Sequence, residues 1–574
     1  MKKPFTLLLF LAIALASYAQ SRTTTYCNPL NLDYSYPFHN AHLGKSYRSG
    51  ADPAVVQFRG EFYMFVTRSY GYWHSTDLTH WHFITPERWY FEGSNAPAAF
   101  NYKDSVLYVT GNPSGAMSLL YTNNPEKGDW KPVTSVLYDL QDPAFFIDDD
   151  GKSYMFWGSS NKFPLRVKEL LTRRHFMPAT GETIDLFNLD PAQHGWERFG
   201  ENHTDTLINP FIEGAWMTKR NGRYYLEYAA PGTQFNVYAD GYYVSDNPVG
   251  DYRYAPNNPY CYKPGGFING AGHGSTVIGQ GAQYWHFATM AISVNYQFER
   301  RLCMFPAFFD DDGLMYANTA FGDYPHFAPD QPGKRGEFTG WMLLSYKKPI
   351  EASSQLPDAP AGNANDENAK TCWVAAENND KQWLSIDLLA PSKVYAVQVN
   401  YFDYNETDIF GRQPDFFHRY RIEGSTDGNT WTALVDKSRS FRDTPNDYIE
   451  LDAPATARYI RFVNIHAPTR HLAISGLRIF GKGNGTPPAA VRNFSVQRHE
   501  DRRDATLTWE KQKNAQGYNI HWGIAPGKLY NSWLVYDENT LNLRCLTTGQ
   551  KYYFGIEAFN ENGVSSIGKI IEVQ

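Results

Sequence analysis

At 574 residues the chain is too long for one hydrophobic core, and its length predicts about three domains. Aromatic residues reach 16% and charged residues only 20%, a balance that fits strand faces and sugar-stacking surfaces. A net charge of −7 with no basic block argues against nucleic acid as a partner.

Met1 to Ala19 reads as a secretory signal, with Lys2 and Lys3 ahead of an apolar centre, Leu7 to Ala16, and a small-x-small cleavage site before Gln20. No later apolar run approaches membrane-spanning length, so an exported, soluble protein is expected. The cysteines, Cys27, Cys261, Cys303, Cys372 and Cys545, are odd in number and lack zinc-ligand spacing, so no disulfide framework is expected. Ser21 to Gly50 is polar and Tyr-rich, a lead-in or closing segment.

One phrase then recurs. Asp52-Pro53-Ala54-Val55-Val56 leads to Gly60 and Tyr63, and Ala96-Pro97-Ala98-Ala99-Phe100 leads to Tyr108. Asp142-Pro143-Ala144-Phe145-Phe146 leads to Gly151 and Tyr154, Glu213-Gly214-Ala215-Trp216-Met217 to Gly222 and Tyr225, and His273-Gly274-Ser275-Thr276-Val277 to Gly281 and Tyr284. Asp150-Gly151 between two β-prone runs predicts a hairpin with a type I′ turn. A four-stranded unit repeated at this spacing predicts an all-β, five-bladed β-propeller from residue 20 to 348. The first strand of each blade lines a propeller's channel, so Asp52, Ala96, Asp142, Glu213 and His273 are expected at one mouth. A scaffold has no use for like charges placed together, which marks the spot as functional.

Asn161 to Asn209 is read as an insertion between blades three and four, with a short helix around Leu165 to Arg174. Arg300 to Tyr316 supplies the last hairpin. The two triple-Asp runs, 148–150 and 310–312, lack the closing Glu of a calcium loop and read as hairpin turns. Residues 349–482, with Trp383-Leu384-Ser385-Ile386-Asp387-Leu388 and Arg458-Tyr459-Ile460-Arg461-Phe462, alternate as in a β-sandwich, and 487–574 read as a smaller one.

Asp52-Pro53, Asp142-Pro143, Glu213-Gly214, Ser75-Thr76-Asp77-Leu78 before Trp81, and the Gly272-His273-Gly274-Ser275 turn together resemble glycoside hydrolase family 43 over residues 48 to 346. The middle segment is similar to discoidin (coagulation-factor type C) domains and family 32 carbohydrate-binding modules, and the tail resembles fibronectin type III. The resemblance implies inverting exo-hydrolysis of terminal α-L-arabinofuranosyl, β-D-xylosyl or galactose-type units, with an α-L-arabinofuranosidase acting on plant polysaccharide as the leading expectation; the signal segment and the mix of domains point to the periplasm or cell surface of a Gram-negative bacterium. The resemblance also implies Asp52 as general base, Glu213 as general acid and Asp142 as the carboxylate that tunes and orients the acid. It further implies His273 as the channel histidine near a structural calcium, with no cofactor required for the chemistry. Inversion needs the two working carboxyls about 6.5–9.5 Å apart, a gap that non-adjacent blades one and four can hold. Arg301 is a candidate for sugar hydroxyls, and Trp73, Phe100, Trp157 and Trp216 for stacking on a sugar face. An invertase-type retaining hydrolase fits less well, since its Asn-Asp-Pro phrase is absent. A non-catalytic sugar-binding platform is the reading from another class.

Overall fold

Five antiparallel blades, four of four strands and the third of five, are built from consecutive stretches of chain, with inner strands Ala54–Phe58, Asn95–Tyr102, Ala144–Ile147, Glu213–Arg220 and Asn269–Ile278. Each inner strand lies beside the next, and the fifth returns to the first, which closes a five-bladed propeller. The sheets of blades four and five touch through a single parallel contact between Ala239 and Ala271. This computed structural model describes residues 24–37, 43–87, 94–112, 117–138, 140–174 and 176–574. The expected signal segment, 1–19, lies outside these residues. Among the described residues the helical elements are all short 3-10 turns, so the protein is all-β.

The hairpin turns follow the glycines. Arg59-Gly60 and Asn221-Gly222 both take positive φ and close two-residue loops, as a type I′ turn requires. At Asp150-Gly151 the loop is longer than expected: Gly151 donates to Asp148 and Asp148 to Lys152, so only the glycine is left-handed. Lys219 bridges Asp148 and Asp149, and Lys528 from the C-terminal domain bridges Asp310 and Asp312.

The helix expected around Leu165 to Arg174 is instead the third strand of blade three, Arg166–Leu171, followed by a 3-10 turn at Thr172–Arg174. Its leucines pair across Ser153–Trp157, with Leu170 opposite Ser153, so strand pairing overrides local helix propensity. The true insertion is therefore shorter. Around Trp196, Glu197 and His203, all fully buried, it docks the C-terminal domain, and Arg198 pairs with Asp501 and Asp504 there.

The middle domain is one eight-stranded antiparallel assembly running from Met342–Leu343 to Ala473–Lys482. Residues beyond it form a three-stranded and a five-stranded sheet. Three apolar clusters cross the domain boundaries. In one, Trp196, Ile212 and Tyr262 of the propeller pack with Trp509, Trp522 and Trp533 of the last domain. All five cysteines are free and buried.

Ring closure between blades five and one uses side chains. Ser275 Oγ donates to Pro53 O at 2.6 Å and accepts the Val55 N–H at 3.0 Å. Ser275→Ala would strand two buried backbone groups, at a cost of about 1–3 kcal/mol each. The variant is expected to unfold several degrees below the parent in a thermal melt. An unchanged midpoint would show that the closure is held elsewhere.

Candidate active site

A left-handed residue marks the mouth end of each inner strand, just before it in blades one and three and within it, at a break in register, in blades two, four and five. Asp52, Ala96, Asp142 and His273 have φ of 56, 38, 50 and 49°, and in blade four Gly214 has φ of 66°. Non-glycine residues reach this region at a cost of about 1–2 kcal/mol, so buried partners are needed to hold them. Thr289 accepts the Asp52 N–H at 2.8 Å, Thr67 accepts the Ala96 N–H at 2.8 Å, and the Asp240 carboxylate accepts the N–H groups of His273 and Gly274 at 2.7 and 2.9 Å. Glu213 precedes its blade's left-handed residue, one position off the other four. Gly214 also leaves space: a Cβ there would lie 2.9 Å from the His273 ring.

These turns bring Asp52, Ala96, Asp142, Glu213 and His273 into the lining of one cavity of about 290 Å³. His273 Nδ1 lies 3.4 Å from Asp52 and 3.8 Å from Asp142. Ligand atoms of Asp142, Glu213 and His273 all fall within 4.8 Å of one another. Glu213 accepts hydrogen bonds from the Tyr238 hydroxyl on one oxygen and from Ser159 at 3.0 Å on the other.

Charge balance sets the protonation states. Burial alone would raise the Asp52 carboxyl, but Arg300 at 3.5 Å, His273, and the Thr67 hydroxyl at 2.5 Å outweigh it and hold Asp52 below the ordinary aspartate value. Burial pulls His273 down, yet Asp52, Asp142, Glu213 and Asp240 together raise it above the usual imidazole value. Asp52 is thus the carboxylate whose charge its neighbours favour, beside an imidazole whose protonated form they favour in turn.

Arg301 does not reach the cavity. Neighbouring residues on a strand face opposite ways, and Arg300 takes the cavity side. Arg301 is buried instead against Tyr34, donating to Arg48 O at 2.6 Å. Arg300 Nε is buried without a partner, so it has hydrogen-bonding capacity left. None of the four aromatic candidates lines the cavity either. Trp73 is core, its indole N–H donating to Asp33. Phe100 stacks on Tyr108 and Phe145, and Trp157 packs into the same cluster between blades two and three. Trp216 donates to Thr276 O and lines, with Phe100, the far end of the channel. Phe100 and Trp216 sit four and three residues past their mouth positions, which at ~3.3 Å per residue is some 10–13 Å down the strand. Tyr238, Ser159, Thr67 and Asp240 carry no repeated sequence signal and went unforeseen.

A calcium ion at His273 is not favoured by the donor set. Calcium takes six to eight oxygens, whereas two carboxylates and an imidazole converge here. Both Glu213 oxygens are already hydrogen-bonded, and the imidazole is held towards its protonated, non-ligating form.

One wall depends on the middle domain. Asp403 accepts the Arg48 N–H at 2.8 Å, and Asp443 pairs with the Arg48 guanidinium. Arg48 is followed by Ser49, which lines the cavity with Pro37, Phe298 and Arg300.

Three carboxylates and a histidine from four blades thus meet at one mouth of the propeller channel. Residues 47–315 match the model of Glycosyl hydrolases family 43, and residues 349–474 match that of the F5/8 type C domain. It is 25% identical over 171 residues to the beta-D-galactofuranosidase xynD of Aspergillus niger, covering 28% of this chain and 43% of that protein. It is 28% identical to a beta-xylosidase of Xylanibacter ruminicola, covering 20% of this chain and 39% of the other. With the arabinoxylan arabinofuranohydrolase of Bacillus subtilis it shares 26% identity, over 31% of this chain and 34% of the relative. The chain thus spans 34–43% of the length of these curated relatives. Among solved structures, a thermostable family-43 glycoside hydrolase aligns over 54% of this chain and all of its own, at 20% identity and a TM-score of 0.43.

His273→Gln removes a cation from beside Asp52. Without it the carboxylate is less favoured, so the acidic limb of the activity profile should move to higher pH, by about one unit for a charge this close. An unmoved limb would mean that His273 is not charged or that Asp52 does not govern that limb.

Proposed function

We propose that the propeller is an inverting exo-glycosidase that removes terminal pentosyl units from plant polysaccharide, specifically an α-L-arabinofuranosidase. The observation that carries this reading is the convergence of Asp52, Asp142, Glu213 and His273 in one cavity of about 290 Å³ at the channel mouth. That volume is at the small end for ligand pockets and suits one sugar unit taken from a chain end. Asp52, held ionised by Arg300 and His273, deprotonates a water that attacks the anomeric carbon. As the glycosidic C–O bond breaks, Glu213 gives its proton to the leaving oxygen. Asp142 orients Glu213 from within 4.8 Å, and Arg300, which lines the cavity, holds sugar hydroxyls. The furanoside assignment draws support from two relatives whose names denote furanoside-cleaving enzymes.

The beta-xylosidase relative supports a second reading, removal of xylosyl units on the same scaffold. The proposal also includes export by cleavage after residue 19, a carbohydrate-binding role for the F5/8 type C domain, and a fibronectin type III fold for the last sandwich.

Asp52→Asn and Glu213→Gln should each lower kcat by about 10²–10⁴-fold with folding intact. The two should differ with leaving group. A dinitrophenyl glycoside needs no proton on departure, so Glu213→Gln loses far less on it than on polysaccharide, whereas Asp52→Asn loses equally on both. Equal losses for Glu213→Gln would remove its assignment as the acid. No turnover of nitrophenyl arabinofuranoside, xyloside or galactoside, nor of polysaccharide, would favour a binding protein.

A further inference from the structure

A second convergence of carboxylates and imidazole lies away from the cavity, where blades one and two meet. Strand register builds it. In blade one Tyr63 pairs with His74 and His74 with His82, so these three share one face of the sheet, and Glu61, two residues before Tyr63, shares it too. The Tyr63 and His74 rings lie 5.0 Å apart. That face is turned towards blade two, since Tyr63 packs there with Ala99, Leu107 and Val109. Blade two answers with Glu126, in the 3-10 turn Pro125–Lys127. The turn is tied to blade one: the Tyr72 hydroxyl donates to Pro125 O, and Arg59 donates to Asn123 O at 3.1 Å. Glu61, Tyr63 and Glu126 thereby line one cleft.

Ligand atoms of Glu61, His74 and Glu126 all fall within 4.8 Å of one another, and His74 Nε2 lies 3.0 Å from Glu61 Oε2. Ligands held about 2.0–2.2 Å from a tetrahedral zinc ion stand about 3.3 Å apart, so a small rotation of the exposed Glu126 side chain closes the set. The hydroxyl of the buried Tyr63 faces Glu61 at 3.5 Å from behind. Among the described residues no lysine or arginine pairs with either glutamate; Lys127 reaches Glu87 instead. His82 is exposed, and its place across from His74 puts the two Cβ atoms about 4.5–5.5 Å apart, within reach as a fourth donor. Imidazole nitrogen together with carboxylate oxygen is a zinc donor set, whereas calcium takes oxygen alone.

We propose that Glu61, His74 and Glu126, joined by His82, bind one Zn²⁺ that clamps blade one to blade two. Glu61 stands six residues before Thr67 of the mouth, about 20 Å along an extended strand. The ion is therefore structural, and the site does not depend on the glycosidase reading.

The test is calorimetric titration of the full chain, stripped of metal by a chelator, with ZnCl₂ alone. The parent should take up an equivalent of zinc whose affinity falls at least tenfold in Glu126→Gln and in His74→Gln, and that persists in Asp142→Asn. Zinc should also raise the thermal midpoint of the parent and leave that of Glu126→Gln unmoved, while the metal-free midpoints of the two agree, since Glu126 is exposed. No uptake by the parent, or uptake unchanged in both Glu126→Gln and His74→Gln, would overturn the proposal. Uptake lost in Asp142→Asn but kept in Glu126→Gln would put the ion at the mouth and overturn it as well.

Discussion

The left-handed residue at the mouth end of each inner strand is the constraint on which the site depends. It turns the chain at the channel mouth so that side chains from separate blades meet in one cavity. The conformation is unfavourable for Asp, Ala and His, and side chains buried between blades hold it. Thr289 of blade five holds Asp52, Thr67 of blade one holds Ala96, and Asp240 of blade four holds His273. Each hold is made by the preceding blade, so the site's geometry is a property of the closed ring. Asp240 is itself fixed by His286, whose Nε2 lies 2.8 Å away.

Assembling three carboxylates creates an electrostatic demand that the surroundings answer unequally. Asp52 receives Arg300, His273 and a threonine hydroxyl, all of which favour its charge. Glu213 receives two hydroxyl donors, Tyr238 and Ser159, and the Asp142 carboxylate at short range. The Ala96 slot keeps the mouth from carrying a fourth acid.

The carboxylates were legible in the sequence because they head a phrase that repeats with a tyrosine 11 or 12 residues on. Blade number followed from the same repeat. What surrounds the acids was not legible, because those contacts come from second and third strands with no repeated signature. Arg300 and Arg301 are adjacent, and only the register of their strand decides which one meets the cavity. The aromatics were misplaced for the opposite reason: they belong to the repeat, but further along strands that run away from the mouth. The helix expected at Leu165 to Arg174 lost to pairing with Ser153–Trp157, which made Arg166–Leu171 a strand. The way the three domains share apolar clusters, and the way Asp403 and Asp443 secure Arg48 beside the cavity, depend on contacts hundreds of residues apart.

The account stands or falls on Asp52 activating water against the face opposite Glu213. Proton NMR of the first sugar released, recorded before mutarotation, tests this directly. The account predicts that the initial product has the anomeric configuration opposite to that of the substrate. Initial release of the same anomer would mean a covalent intermediate on one of these carboxylates and would contradict it.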